Sequence, residues 1–392
     1  MSRVKYSVKT LSSSDSFRTF AAAVFSVFTG ILAGCIIIFL WSLYDKDINL
    51  KEALEGIKLI LLGVLCKGRS SEGDLYFGFN PVIIGNLLFR ATPVIMTGLS
   101  VASAFRSGLF NIGAPGQYLM GGAATLILAL KLPSDLFPVS LIWLIAFSGG
   151  MAAGALWGLI PGALKSRFRV NEVLSGIMLN WISAGAVTWI FENSSLRNTS
   201  QAGKIGYIMK TSVNSVATPD FGLSELFPDS QVNGGIIIAA VLAVTVHIFL
   251  NKTVMGYEMK ACAGNRNAAE LSGVNCRKII TLSMTVAGAL SGGGAALYYL
   301  SGNTEFFWST YQLLPAEGFN GIPVALLSGN NPLGVIVSGC FMAMLNISGQ
   351  QLKNLTTFNE TVINIIIGII VYMSAFSLFI KRAVFNFKRK SK

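Results

Sequence analysis

Apolar residues gather in blocks near 20–43, 82–105, 117–131, 139–162, 173–192, 234–250, 278–300, 317–328, 333–350 and 360–380, separated by short polar intervals. Most of the blocks approach the roughly 20 residues with which an α-helix crosses a hydrocarbon layer, and those at 117–131 and 317–328 are shorter. The pattern excludes a single soluble domain. It predicts an all-α polytopic membrane protein, one transmembrane domain over 1–392 with about ten membrane-spanning helices. Segment 44–80 breaks the rhythm: Lys51-Glu-Ala-Leu-Glu-Gly-Ile-Lys58 carries too much charge for a span and reads as an amphipathic helix lying in the interface.

Two stretches interrupt the apolar pattern from within. Arg106-Ser-Gly-Leu-Phe-Asn-Ile-Gly-Ala-Pro-Gly-Gln117 holds three glycines and a proline, and Glu317 to Gly334 holds Pro323, Gly329, Pro332 and paired asparagines. Backbone groups freed at membrane depth must be met by neighbouring protein or by water in a cavity. Broken or re-entrant segments are therefore expected near 106–117 and 317–334, and paired breaks in the two halves of a chain point to a transport pathway.

Composition agrees: 12% of the 392 residues are charged and 53% are hydrophobic, with mean hydropathy +0.62, where a soluble domain carries about a quarter charged residues. The net charge of +12 sits in loops and at block ends, which reports orientation and gives no reason to expect nucleic acid as a partner. Arg3, Lys5, Lys9 and Arg18 mark a cytoplasmic N-terminus over 1–19. Lys165, Arg167 and Arg169 mark a short inner loop, Lys252, Lys260, Arg266, Arg277 and Lys278 a longer one over 251–277, and Lys381 to Lys392 a basic cytoplasmic tail. Both termini inside require an even number of spans, and ten place 44–80 and 193–233 outside.

The first block is longer than a signal-peptide core and stays apolar past Leu32-Ala-Gly-Cys35, so it reads as a retained span and not a lipidation site. Five scattered cysteines, Cys35, Cys66, Cys262, Cys276 and Cys340, have no metal-ligand spacing and read as free thiols. His247 stands alone, as a packed or interfacial side chain. No Gly-x-x-x-x-Gly-Lys-Ser/Thr loop, Gly-x-Ser-x-Gly elbow or His-Glu-x-x-His pair occurs, so no cofactor, metal or catalytic residue is expected and any ATP energy must come from another subunit. Glu172, Glu192, Glu305, Glu317 and Glu360 fall at predicted span ends, which argues against a proton relay. Asn111, Gln117, Asn180, Ser183 and Asn320 supply uncharged donors and acceptors suited to a neutral polar solute. For Asn180 and Ser183, hydrogen bonding between helices is an equal reading. Glycines at 149, 150, 154 and 158 and at 288, 292, 293 and 294 read as close helix contacts.

The inner loop runs Lys252-Thr-Val-Met-Gly-Tyr-Glu-Met-Lys260-Ala-Cys-Ala-Gly-Asn-Arg266-Asn-Ala-Ala-Glu-Leu-Ser-Gly273-Val, with good helix formers after Asn265, a residue suited to cap a short helix. Spacing alone does not separate a docking handle from a solvated loop helix. The loop resembles the Gly-Tyr-x-x-x-Ala-x-Gly-x-Asn-x-x-Ala-Ala-x-x-x-Gly-Ile motif of permease subunits of ABC importers of the branched-chain amino acid and ribose type. Gly108-Leu-Phe-Asn-Ile-Gly113-x-x-Gly-Gln117, Val170-Asn-Glu-Val-Leu-Ser-Gly-Ile-Met-Leu-Asn180 and Gly318-Phe-x-Gly-Ile-x-Val-Ala-Leu-Leu-x-x-Asn-Asn-Pro332-Leu-Gly334 are similar to its nucleoside-importing branch. The likeness covers the chain from about residue 85 onward. It departs at Pro115, where that branch has a glutamate, at Asn267, where the loop motif has proline, and at Pro323, which replaces a small residue.

The resemblance implies a bacterial inner-membrane subunit working with ABC ATPase subunits, a second homologous permease subunit and an extracytoplasmic substrate-binding protein. It implies ATPase coupling through Gly256, Asn265, Ala268, Ala269 and Gly273. Asn111, Gln117, Asn180 and Asn320 are the expected substrate-pathway residues, and a nucleoside the expected small-molecule solute. A sugar or a branched-chain amino acid is the alternative within the family. An ion-coupled carrier acting alone, or a purely structural membrane subunit, lies outside it.

Overall fold

The computed structural model describes residues 15–44, 48–71, 73–197, 204–205 and 216–376. The basic residues before 15, the tail from 381 and part of the 193–233 segment lie outside the described residues. The order of elements is α1 (Asp15–Tyr44), α2 (Leu50–Leu62), a hairpin of β1 (Cys66–Arg69) and β2 (Leu75–Phe77), α3 (Pro81–Phe105), α4 (Ala114–Lys131), α5 (Val139–Phe168), α6 (Glu172–Glu192), β3 (Lys204–Ile205), α7 (Leu223–Leu226), α8 (Gly235–Lys252), α9 (Val254–Gly264), α10 (Arg266–Leu271), α11 (Cys276–Tyr299), β4 (Phe306–Phe307), α12 (Ala316–Leu327), α13 (Pro332–Leu355) and α14 (Glu360–Ala375). β1 pairs with β2 and β3 with β4, both antiparallel.

Every apolar block of the sequence carries a helix. Among the described residues, seven helices, α1, α3, α5, α6, α8, α11 and α13, are long and apolar enough to cross a membrane. α4 has 18 residues but opens on Ala-Pro-Gly-Gln, α12 has 12 residues and α14 has 16. Local chemistry fixes the helix starts. Asn49, Asn80, Asn171, Asn265, Asn275 and Asn331 open α2, α3, α6, α10, α11 and α13, each accepting a bond from a first-turn amide that the helix leaves unpaired. Pro81, Pro115 and Pro332 stand in first turns, where the missing N–H costs nothing.

Glycine governs the packing of the centre. A Cβ on Gly154 would lie 2.9 Å from the Gly292 Cα, and one on Gly158 would lie 3.0 Å from the Gly288 Cα, so α5 and α11 touch backbone to backbone as the glycine spacing predicts. Gly121 of α4 meets Gly150 and Gly292 at the same seam. Large apolar side chains such as Trp181, Trp189 and Ile182 of α6 stay exposed, as a face turned to lipid requires.

α2 is amphipathic, as predicted, and it is docked: Gly56 packs against Leu352, Phe358 and Ile38. Arg69 of the following hairpin bonds the Glu55 carboxylate at 2.7 Å and the Leu355 carbonyl at 2.6 Å, tying the linker to the end of α13.

Loops segregate to two ends. Ser166 lies 2.9 Å from Thr281, Arg106 donates to the Asn330 carbonyl at 3.4 Å, and Gly108 faces Ala263, which brings the basic loops together. At the other end Thr218 donates to the Leu300 carbonyl at 3.0 Å, Asn303 to that of Gln231 at 3.1 Å, and Thr188 to that of Ser309 at 3.2 Å.

Both breaks are narrower than the sequence pattern implies. The first covers 106–113, with Gly108 in the left-handed region (φ 72°), and 114–117 already form the first turn of α4. In the second, Glu317 to Leu327 are helical despite Pro323. The irregular backbone is confined to 328–331, where Gly329 and Asn330 take positive φ. Pro323 is the eighth residue of α12.

Candidate functional site

The two broken segments meet. Gly318, in the first turn of α12, packs directly on Pro115 in the first turn of α4, and only a residue without a side chain leaves that proline room. Thr97 of α3 donates to the Glu317 carbonyl at 2.8 Å, and Gly321 sits on the Thr97 backbone. Pro115, the departure from the family pattern, is thus a helix-starting residue that also forms the seat for α12.

Asn111, Gln117 and Asn180 hold the first break. Asn111 Nδ2 donates to Gln117 Oε1 at 2.8 Å and to Ser100 Oγ at 3.0 Å, and Gln117 Nε2 returns a bond to Asn111 Oδ1 at 3.0 Å. Asn180 of α6 accepts from the Gly116 amide at 2.9 Å and donates to the Ile112 carbonyl at 3.0 Å, meeting two backbone groups that the break leaves without helical partners. Ser183 donates to the Asn180 carbonyl at 2.6 Å. All four are buried. Asn180→Ala would orphan the buried Gly116 amide, at about 1–3 kcal/mol, and the part-buried Ile112 carbonyl. The expected outcome is a protein that still inserts but loses several degrees of thermal stability in detergent, read by the temperature at which the monodisperse peak is lost.

Asn320 lies elsewhere, in a cavity of about 590 Å³ at the end opposite the basic loops. Phe89, Arg90, Tyr298 and Phe306 line one part of it, and Gln312, Glu317, Asn320 and Asn346 contribute polar groups. Phe89 and Tyr298 stack with centroids 5.7 Å apart, and Tyr299 meets Tyr298 and Phe306 edge-on. The volume is that of a small-molecule site, with apolar ring faces and a few convergent polar groups. Arg90 was not legible as a site residue, because a single arginine inside a long apolar block does not disturb the span pattern.

At the other end, α10 is the short capped helix the sequence predicts: Asn265 Oδ1 accepts the Ala268 amide at 3.1 Å. Gly273 follows it in the left-handed region (φ 89°), and Gly256 packs against the backbone of Phe249 and Leu250 with no room for a Cβ. Ala268 is exposed, whereas Ala269 is 5% exposed and faces inward. Leu271, at the tip, is 91% exposed, and Val254 and Tyr257 are also bare. Lys260 donates to Asn251 Oδ1 at 3.0 Å; partial burial, and then the charge of Arg106, hold its ammonium below the usual lysine range. Cys262 and Cys276 are joined as a disulfide with Cα atoms 5.8 Å apart, which corrects the reading of five free thiols. They lie 14 positions apart in no recognisable motif; they meet because α9 folds back on the start of α11.

Residues 83–375 match the family described as branched-chain amino acid transport system, permease component. The chain belongs to this family. Among similar family members, the guanosine ABC transporter permease protein NupP of Bacillus subtilis (strain 168) is 33% identical over 81% of this chain and 86% of its own length. The nucleoside ABC transporter permease protein NupB of Lactococcus lactis subsp. cremoris is 33% identical over 71% and 80%. The glucose ABC transporter permease protein TsgB13 of Haloferax volcanii is 28% identical over 78% of each chain. As a family member the chain is a multi-pass membrane transport subunit. The residues that sequence reasoning missed in it, Arg90, Tyr298 and Leu271, share one trait: their surroundings, and not their neighbours in sequence, single them out.

Proposed function

We propose that this chain is the permease subunit of an ABC importer for nucleosides in the bacterial cytoplasmic membrane. It works with ATPase subunits, a second homologous permease subunit and an extracytoplasmic binding protein. The observation that carries the reading is the cavity: aromatic faces, amides and a few charged groups, among them Arg90 and Glu317, set beside the junction of two broken helices, suit a flat base joined to a hydroxylated sugar. The names of NupP and NupB support the same solute class. The seven long apolar helices together with α4, α12 and α14 make ten membrane segments, with the basic loops and both termini inside. The cavity, whose lining includes Gln231, then opens outward, where the binding protein delivers its cargo. Asn320 contacts solute, while Asn111, Gln117 and Asn180 shape the pathway by holding its broken backbone. α10, with Gly256, Asn265, Ala268, Ala269 and Gly273 setting its fold, receives the ATPase.

The test is ATP-driven uptake of a labelled nucleoside by proteoliposomes holding the complete importer, challenged with unlabelled nucleosides, ribose or leucine. Nucleosides are expected to compete and the others to leave uptake unchanged. No uptake of the labelled nucleoside, with labelled ribose or leucine carried instead, would transfer the chain to another branch of its family, and uptake without any ATPase subunit would make it an ion-coupled carrier.

A further inference from the structure

The cavity holds polar groups that the protein itself does not use. Among the described residues, no hydrogen bond or ion pair engages the side chains of Arg90, Glu317, Asn320 or Asn346, and Gln312 Oε1 is buried in the wall without a partner. Glu317 is half-buried in the cavity wall, where water or a solute can complete its carboxylate. Glu317 and Asn320 are three residues apart on α12, so their side chains lie side by side on one helix face. That pair combines two acceptor oxygens with an amide that both donates and accepts. Adjacent sugar hydroxyls need this combination, because each O–H donates once and accepts as well. A charged acceptor makes the donated bonds the strong ones. The stacked Phe89 and Tyr298 line the same cavity, and a base can lie on an aromatic face whatever its identity.

We propose that Glu317 and Asn320 form the diol subsite of the cavity, gripping the vicinal hydroxyls of a ribose while Phe89 and Tyr298 support the base. The assignment rests on the nucleoside reading above and adds which part of the solute each pair of residues recognises. It makes Glu317 the specificity-determining residue for the sugar.

The experiment measures uptake of a ribonucleoside and of its 2′,3′-dideoxy analogue by the complete importer in proteoliposomes, for the wild type, Glu317→Gln and Asn320→Ala. One binding protein delivers both solutes, so its own preference cancels when the ratio of the two rates is compared between variants. The expected result is that Glu317→Gln lowers the ratio by about tenfold or more, through slower ribonucleoside uptake with the analogue's rate unchanged, and that Asn320→Ala lowers it less. Residual analogue uptake also shows that each variant is folded. A ratio equal to the wild type in both variants overturns the diol subsite and leaves the nucleoside reading standing. A wild type that carries no nucleoside overturns both.

Discussion

Gly292→Leu is expected to remove the folded permease from the membrane. A Cβ at this position would strike the Gly150 carbonyl oxygen and lie 3.0 Å from the Gly154 Cα, so the obstacle is helix backbone on the facing side and no rotamer change relieves it. Overpacking a core that can adjust costs about 1–3 kcal/mol, and a seam of backbone against backbone has less room to adjust. The same chain supplies its control. Gly185 on α6 has nothing within 4 Å of where its Cβ would be, so Gly185→Leu should accumulate and run as a monodisperse peak like the wild type. Size-exclusion traces of the two variants in mild detergent decide the matter, and equal recovery would show that the seam is not close-packed.

The second large effect is expected from Leu271→Asp. An apolar side chain 91% exposed at the tip of α10 contributes almost nothing to the fold of the isolated chain, so a carboxylate there should leave insertion and thermal stability unaltered. Against an ATPase surface the same change buries an unpaired charge, and ATP-driven uptake should fall by at least about tenfold. Ala269→Arg is a poorer probe, because Ala269 faces inward and an arginine would disturb the loop before any partner arrived. Normal uptake by Leu271→Asp, with normal ATPase stimulation, would remove α10 from the coupling path.

How much of this was legible beforehand follows from the range of the forces involved. Helix positions were readable because span length and apolar run length are the same quantity, and the cap at Asn265 was readable because capping is local. The glycine seam was readable as a pattern, although its partners were not. The extent of the breaks was misjudged: Pro323 looks like an interruption in sequence, yet packing of Gly318 on Pro115 and Gly321 on Thr97 holds α12 helical around it. The cavity was least visible. Its walls come from α3, from the stretch 298–320 that joins α11 to α12, and from Gln231 and Asn346, and no spacing rule joins Arg90 to Glu317. Asn111, Gln117 and Asn180 were recognisable as polar groups inside apolar blocks, but only the fold shows that their hydrogen bonds are spent on one another and on the backbone.

One helix links the two ends of the molecule. α11 starts at Cys276, tied covalently to Cys262 beside α10, and its far end carries Tyr298 and Tyr299 into the cavity. With 24 residues it spans about 36 Å. Its glycines press it against α4 and α5 along this length. On the proposed reading, in which α10 receives the ATPase, α11 is the connecting rod by which a push at that loop would reach the aromatic rings lining the cavity.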